Sequence, residues 1–403
     1  MRILLVHRYY WPDLPAYATM LHIMAQRFVE EGHQVTVFST QPGYNNSSDQ
    51  VLPRRSVVNG VEIIRTPLFK ETKKNTLIRA VNVARFCFGL MCHRLWRFRR
   101  YDLMTVASFP PTVMGLMARC LCLVTGSKYL YHCQDLYPEV ARASGLSGRK
   151  WLLDLAGRVD RRNCQKAGAV VVLSEDMKRT VQDRGVTSDN INIINNFVMD
   201  RFDDSVELPA EFVSEDRKFT VVFAGNMGRF QNLDLLIEAM AQLKTEPQIR
   251  LLMVGGGAMM KRLEQQVKDA GCESTVSFHE YQPLKSVMKL LNRSQLSIVS
   301  LAPRVIDCAY PSKTMTYVES GCRMLAIIEK GSELAKLIDT EDLGVVCDSP
   351  TAEEIAAAIS NEYQRWKTNP TSPDHIRTIG DEHFGQSMIL QKWVDLLKRL
   401  ESN

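Results

Sequence analysis

The segment Ala309-Tyr310-Pro311-Ser312-Lys313-Thr314-Met315 sets a proline and a hydroxyl residue ahead of an apolar-periodic stretch running to Gly321. That order reads as a helix N-terminus, where unpaired N–H groups favour an anion. Lys313 falls in the first turn, whereas helix-stabilising cations gather at the other end, so it points to a bound negative group. A solvent-facing lysine beside a cap is the alternative. Gly225-Asn226-Met227-Gly228 follows the apolar run FTVVFA and precedes a helical stretch starting near Leu233. Backbone N–H groups at such a junction can cradle a phosphate, with Arg229 as a fixed charge beside them; a tight turn carrying two glycines is the competing reading. Gly255-Gly256-Gly257 follows LLMV and lets backbone or ligand approach closely, although a connecting loop uses glycine too. His132-Cys133-Gln134-Asp135-Leu136-Tyr137-Pro138-Glu139 places an imidazole and carboxylates at the end of the run KYLY. They suit proton transfer or the orientation of hydroxyls, set against the plainer reading of a histidine satisfied in core or loop.

Other chemistry is excluded or unsupported. The first apolar run leads into His7-Arg8-Tyr9-Tyr10 without glycine, and Gly255 to Gly257 do not match G-x-G-x-x-G, so dinucleotide hydride transfer lacks its fingerprint. There is no D-x-D pair and no Cys/His cluster with ligand spacing. No metal and no cofactor are expected.

The elements that must position these groups alternate between short β-branched runs and longer helical periods, the pattern of β-α units on a parallel sheet. Strands are expected at residues 3–6, 34–38, 61–65, 103–106, 128–131, 169–173 and 191–194, with helices near 16–31, 77–98 and 151–166. The acidic, irregular stretch 200–218 reads as a linker between a domain at 1–199 and one at 219–386. The second domain repeats the pattern, with strands at 219–224, 249–254, 275–278, 296–300, 324–328 and 345–347 and helices near 233–243, 259–270, 284–292 and 351–367. The fold class is α/β, two doubly wound Rossmann-like domains facing a crevice at the carboxyl ends of their strands.

With 403 residues, 45% of them hydrophobic and 24% charged, the chain has the composition of a globular protein. Its formal charge of +5 is too mild to imply nucleic-acid binding. Ten cysteines without C-x-x-C spacing suggest buried thiols in a reducing compartment. Met1 to Val6 turns polar after one short run, without the features of a signal peptide, and Leu103 to Thr125 is broken by Pro110-Pro111 and Arg119, so no export and no spanning helix are expected. Leu77 to Arg100 holds six arginines and no acidic residue. At helical spacing Leu77, Val81, Ala84, Phe88, Met91 and Leu95 form one stripe, with Arg79, Arg94, Arg97 and Arg100 opposite, which suits either an anionic membrane surface or a core helix with a solvated basic face.

The combination AGNMG, VGGG, FHEY at Phe278 to Tyr281, YPSK with ESG, and HCQDLYPE resembles the family 4 glycosyltransferases of the GT-B fold, especially the bacterial surface-polysaccharide subgroup that includes fucosamine transferases. The resemblance covers nearly the whole chain. It implies a retaining glycosyltransferase that moves a sugar, of the UDP-linked N-acetylated or deoxy kind, from a nucleotide diphosphate-sugar donor to a polyprenyl-diphosphate-linked saccharide, at the inner face of the cytoplasmic membrane. His132, Asp135, Arg229 and Lys313 would be catalytic. Gly225, Asn226, Gly228, Gly255, Gly256, Tyr281, Pro311, Ser312, Thr314 and Glu319 would bind the nucleotide-sugar. The first domain would hold the acceptor, and a C-terminal helix from about residue 387 would return to it. The family's carboxylate pair falls on Cys308 and Thr316, which leaves Glu319, one turn on, for the ribose hydroxyls. The loop Asp13 to Ala18 replaces the family's glycine pair. A nucleotide-sugar epimerase of the same architecture, or a nucleotide-binding module of the membrane surface without activity, would share these features.

Overall fold

A computed structural model of the chain describes residues 1–13, 15–41, 51–69, 76–98, 100–143, 150–213, 218–348 and 351–402. Leu14 of the acceptor loop, Arg99 and residues 214–217 of the expected linker lie outside them. The chain divides into two compact units, one of Met1–Pro138, Ser147–Asn195 and Ser387–Asn403, the other of Glu139–Leu146 and Asn196–Gln386. Residues 200–213 of the expected linker therefore count with the second unit.

The first unit holds strands β1 (Arg2–Val6), β2 (Gln34–Thr40), β3 (Arg55–Val58), β4 (Val61–Thr66), β5 (Leu103–Ala107), β6 (Lys128–His132), β7 (Ala169–Val172) and β8 (Ile191–Ile193), in the order β3-β4-β2-β1-β5-β6-β7-β8. Only β3 with β4 is antiparallel. The central strands β1 and β5 are almost wholly buried, as expected of parallel strands covered on both faces. Helices in this half of the chain are α1 (Ala16–Glu30), α2 (Thr76–Trp96), α3 (Val113–Thr125), α4 (Glu139–Ala143), α5 (Lys150–Lys166) and α6 (Glu175–Asp183). Strand order reverses between β1 and β5, which makes their carboxyl ends a natural ligand position.

The second sheet, of β9 (Phe219–Asn226), β10 (Ile249–Gly256), β11 (Val276–His279), β12 (Leu296–Ser300), β13 (Arg323–Ile327) and β14 (Gly344–Cys347), has the order β11-β10-β9-β12-β13-β14 and is wholly parallel. Its reversal lies between β9 and β12. Its helices are α7 (Leu233–Gln242), α8 (Met260–Ala270), α9 (Leu284–Arg293), α10 (Lys313–Glu319), α11 (Glu333–Thr340), α12 (Ala352–Thr368) and α13 (Pro373–Phe384). Phe223, Leu236, Ile237, Leu251, Ile298 and Ile355 are among its core residues. The last helix, α14 (Gln386–Ser402), counts with the first unit, where Trp393 is buried and the Leu400 carbonyl accepts from Lys128 Nζ at 2.8 Å.

Two expectations need correction, the place of Arg94 and the burial of the thiols. The apolar stripe of α2 is turned outward, against the core-helix reading: Asn82, Phe86, Leu90 and Arg94 face the core, while Leu77, Val81, Phe88 and Leu95 are exposed. Arg94 therefore leaves the expected basic cluster. Its guanidinium donates to Ser127 Oγ and lies 5.4 Å from the centre of the Tyr101 ring, and Arg100 is paired with Glu62 at 3.0 Å. Nor are all the thiols buried, since Cys92 and Cys120 are exposed. Among the described residues no helix is long and apolar enough to cross a membrane.

Candidate active site

In the second unit β9 and β10 end side by side, with Gly225 opposite Gly255 and Asn226 opposite Gly256. Gly255 has φ +132°, and a Cβ there would lie 2.1 Å from the Gly225 carbonyl oxygen. Glycine is thus required by strand contact before any ligand is considered. At Gly225 a Cβ would lie 2.9 Å from Lys313 Cε, so the missing side chain is what lets the lysine extend over the strand end.

Lys313 is the first residue of α10, and its ammonium rests 3.5 Å from the centre of the Phe223 ring. No carboxylate of the described residues pairs with it, and burial pulls its pKa down to about 7. This is a positive group held against an aromatic face and short of a counter-charge. Pro311 and Ser312 lead into the turn, and Ser312 supplies no side-chain cap. Thr314 is fully buried, its hydroxyl unpaired among the described residues.

The glycine loop beside it is partly closed on itself. The Gly228 N–H donates to Gln231 Oε1 at 2.8 Å and the Met227 N–H to the Gly256 carbonyl at 2.8 Å, so those amides are occupied. Asn226 and Arg229 are exposed, Arg229 at the head of a short 3-10 turn and without an ion pair among the described residues. Tyr281 lies against the other loop: its hydroxyl donates to the Gly256 carbonyl at 3.1 Å, and the residue is 62% exposed. Glu319 is engaged at both carboxylate oxygens, accepting from the Phe202 N–H at 2.9 Å and from Arg201 at 3.2 Å, and Arg201 also pairs with Asp381. A ribose would have to compete with those partners.

In the first unit His132 closes β6 and is buried against Trp393, with ring centres 4.9 Å apart. The Gln134 amide donates to Nε2 at 2.7 Å, so the ring proton sits on Nδ1 and is donated to the Tyr17 hydroxyl at 3.0 Å. Burial lowers the His132 pKa to about 3, with a further push from His7, which burial brings down to about 4. Both imidazoles are neutral at pH 7. Asp135 is exposed, and its N–H donates to Ser108 Oγ at 3.3 Å. Desolvation by the surrounding protein raises its carboxyl to about 6, a shift that solvent contact tempers. His132 and Asp135 share no hydrogen bond. Sequence reasoning missed His7, Tyr17 and Phe223; the one available signal was the position of His7 directly after β1.

The chain matches two family models, a glycosyl transferase 4-like domain over residues 16–196 and glycosyl transferases group 1 over residues 204–370. The chain is a GT-B glycosyltransferase. This glycosyltransferase is 24% identical to the putative colanic acid biosynthesis glycosyl transferase WcaI of Escherichia coli (strain K12), over 96% of this chain and 99% of that one. Its fold is similar to sucrose-phosphate synthase from Thermosynechococcus elongatus, with a TM-score of 0.73 and 16% identity over 100% of this chain and 99% of that one. It is likewise similar to Anabaena Alr3699/HepE in complex with UDP, with a TM-score of 0.69 and 16% identity over 99% and 100% of the two chains. These matches show the broader family and do not reach the fucosamine-transferase subgroup.

Proposed function

We propose that this glycosyltransferase moves a sugar, with retention of configuration, from a UDP-linked N-acetylated or deoxy sugar to a polyprenyl-diphosphate-linked saccharide in bacterial surface-polysaccharide synthesis. The observation that carries the reading is the Lys313 ammonium, seated on Phe223 over Gly225 at the strand-order reversal of the second unit and lacking a carboxylate partner. As the glycosyl-oxygen bond breaks, charge grows on the departing diphosphate, and a preorganised cation stabilises it without reorganising. Arg229 adds a second cation. Gly225, Asn226, Gly255 and Gly256 line the donor side, and Pro311, Ser312 and Thr314 shape the turn that presents Lys313. The exposed ring of Tyr281 suits stacking on the base. Neutral His132 and the Asp135 carboxylate orient sugar or acceptor hydroxyls, the acceptor attacking on the face from which the leaving group departs, with no enzyme nucleophile.

The UDP held by HepE and the colanic acid in the name of WcaI support a UDP-sugar donor and a polysaccharide product. The exposed stripe of α2, which carries no acidic residue, supports peripheral seating on the inner face of the cytoplasmic membrane. Incubation with UDP-sugars and a polyprenyl-diphosphate saccharide tests the reading. Transfer supports it; an isomerised donor, or binding without turnover, overturns it in favour of an epimerase or an inactive binding module.

A further inference from the structure

Of the four arginines that the sequence offered to a membrane on α2, two are consumed, Arg94 inside the fold and Arg100 on Glu62. Further cations without an ion pair among the described residues lie on the neighbouring helices. Helix α3 touches both α2 and α5, so the three lie side by side in the first unit. A groove of about 840 Å³ between α3 and α5 has Leu123, Tyr129 and Ala167 among its lining and Arg119, Arg162 and Lys166 on its walls. A hollow beside it adds Arg158 and Leu155. No aspartate or glutamate lines either one, α3 contains none, and none of these four cations makes an ion pair among the described residues.

Apolar side chains stand in the open there. Leu123 of the groove is 83% exposed, its neighbour Val124 and Leu155 of the hollow are exposed as well, and so are Trp151 and Leu152 in the first turn of α5. On α2 Trp96 is 89% exposed. Cations without counter-ions beside uncovered apolar groups on three adjacent helices match the two layers of an anionic bilayer surface, phosphate outside and acyl chains within. An acidic protein would answer the charge but would leave the large apolar residues facing water.

We propose that the groove between α3 and α5 receives the phosphate headgroups of anionic phospholipids and, with the outward stripe of α2, seats the first unit on the bilayer. The inference rests on the membrane reading of α2 and not on the transfer chemistry. Co-sedimentation with phosphatidylcholine vesicles, with and without phosphatidylglycerol, tests it on the full chain. Each arginine near the surface contributes about fivefold to partitioning, so R119A/R162A should weaken binding to the anionic vesicles on the order of twenty-fivefold and leave the weak binding to neutral ones unchanged. R119K/R162K should restore most of it. K261A/K268A, an equal charge change on α8 of the second unit, should alter it little.

Wild-type binding by a folded R119A/R162A overturns the proposal, as does an equal loss in K261A/K268A, which would mean diffuse attraction by net charge. Binding that is lost in L77S/V81S/F88S but kept in R119A/R162A leaves the α2 reading standing and removes the groove. Binding kept in both removes both.

Discussion

The Lys313 ammonium and the Phe223 ring meet at 3.5 Å from charge to ring centre, joining the first turn of α10 to the body of β9. The contact fixes the lysine while partly stripping it of water, and its pKa falls to about 7 as a result. A lysine whose folded pKa lies below its unfolded value disfavours folding at low pH, a penalty relieved as pH rises from about 7 towards the unfolded value. Lys313→Met should therefore raise the melting temperature at pH 7, with a stabilisation on the order of a few kcal/mol that shrinks towards pH 10. A variant less stable than wild type at pH 7 would show that the ammonium is well solvated.

The two buried imidazoles give stability the same dependence at lower pH. His132 and His7 sit at about 3 and about 4 in the fold, below the ordinary histidine value of 6.5, so the unfolded chain binds more protons and stability falls as pH drops below 6.5. At pH 5 each lowers stability by up to about 2 kcal/mol. Denaturant unfolding of His132→Gln at pH 7.5 and pH 5 should show a flatter pH dependence than wild type; an identical slope contradicts the neutral imidazole.

Glu319 binds Arg201 and the Phe202 amide, and its removal leaves a half-buried N–H unpaired. Glu319→Ala should lower stability by about 1 to 3 kcal/mol with donor affinity nearly intact. If affinity falls and the melting temperature holds, Glu319 serves the ribose.

The parallel αβ alternation was legible because doubly covered strands such as Ile3 to Val6 must be continuous apolar runs. The short antiparallel β3, half exposed, lacks that run, and the polar helix α6 lacks a wide apolar stripe. Helix α2 was legible, but which of its sides meets the sheet was not, and both a membrane face and a core face stayed open. It carries apolar residues on both sides, Phe86 and Leu90 inward and Leu77 and Phe88 outward, and the period alone does not say which side meets the sheet. Lys313 and the glycine loops stood out as local motifs. Their tertiary partners did not, since Phe223 under Lys313 and Tyr17 on His132 come from elements distant in sequence.

Among the described residues no group of three or more His, Cys, Asp or Glu side chains could hold a metal ion, and the sequence has no D-x-D pair. Transfer should proceed at an unchanged rate after exhaustive chelation. Loss of turnover that added Mg²⁺ or Mn²⁺ restores would refute metal-independent stabilisation of the diphosphate.

The central claim is that Lys313 acts on charge that develops as the donor bond breaks, and single-turnover transfer compared with the donor dissociation constant in Lys313→Ala tests it most directly. Removing one preorganised donor of this kind costs about 3 to 4 kcal/mol, so saturated transfer should fall on the order of 10² to 10³, with a smaller loss of donor affinity and partial recovery in Lys313→Arg. Weakened binding with saturated turnover near wild type would make Lys313 a docking charge only. Wild-type values for both would contradict the site.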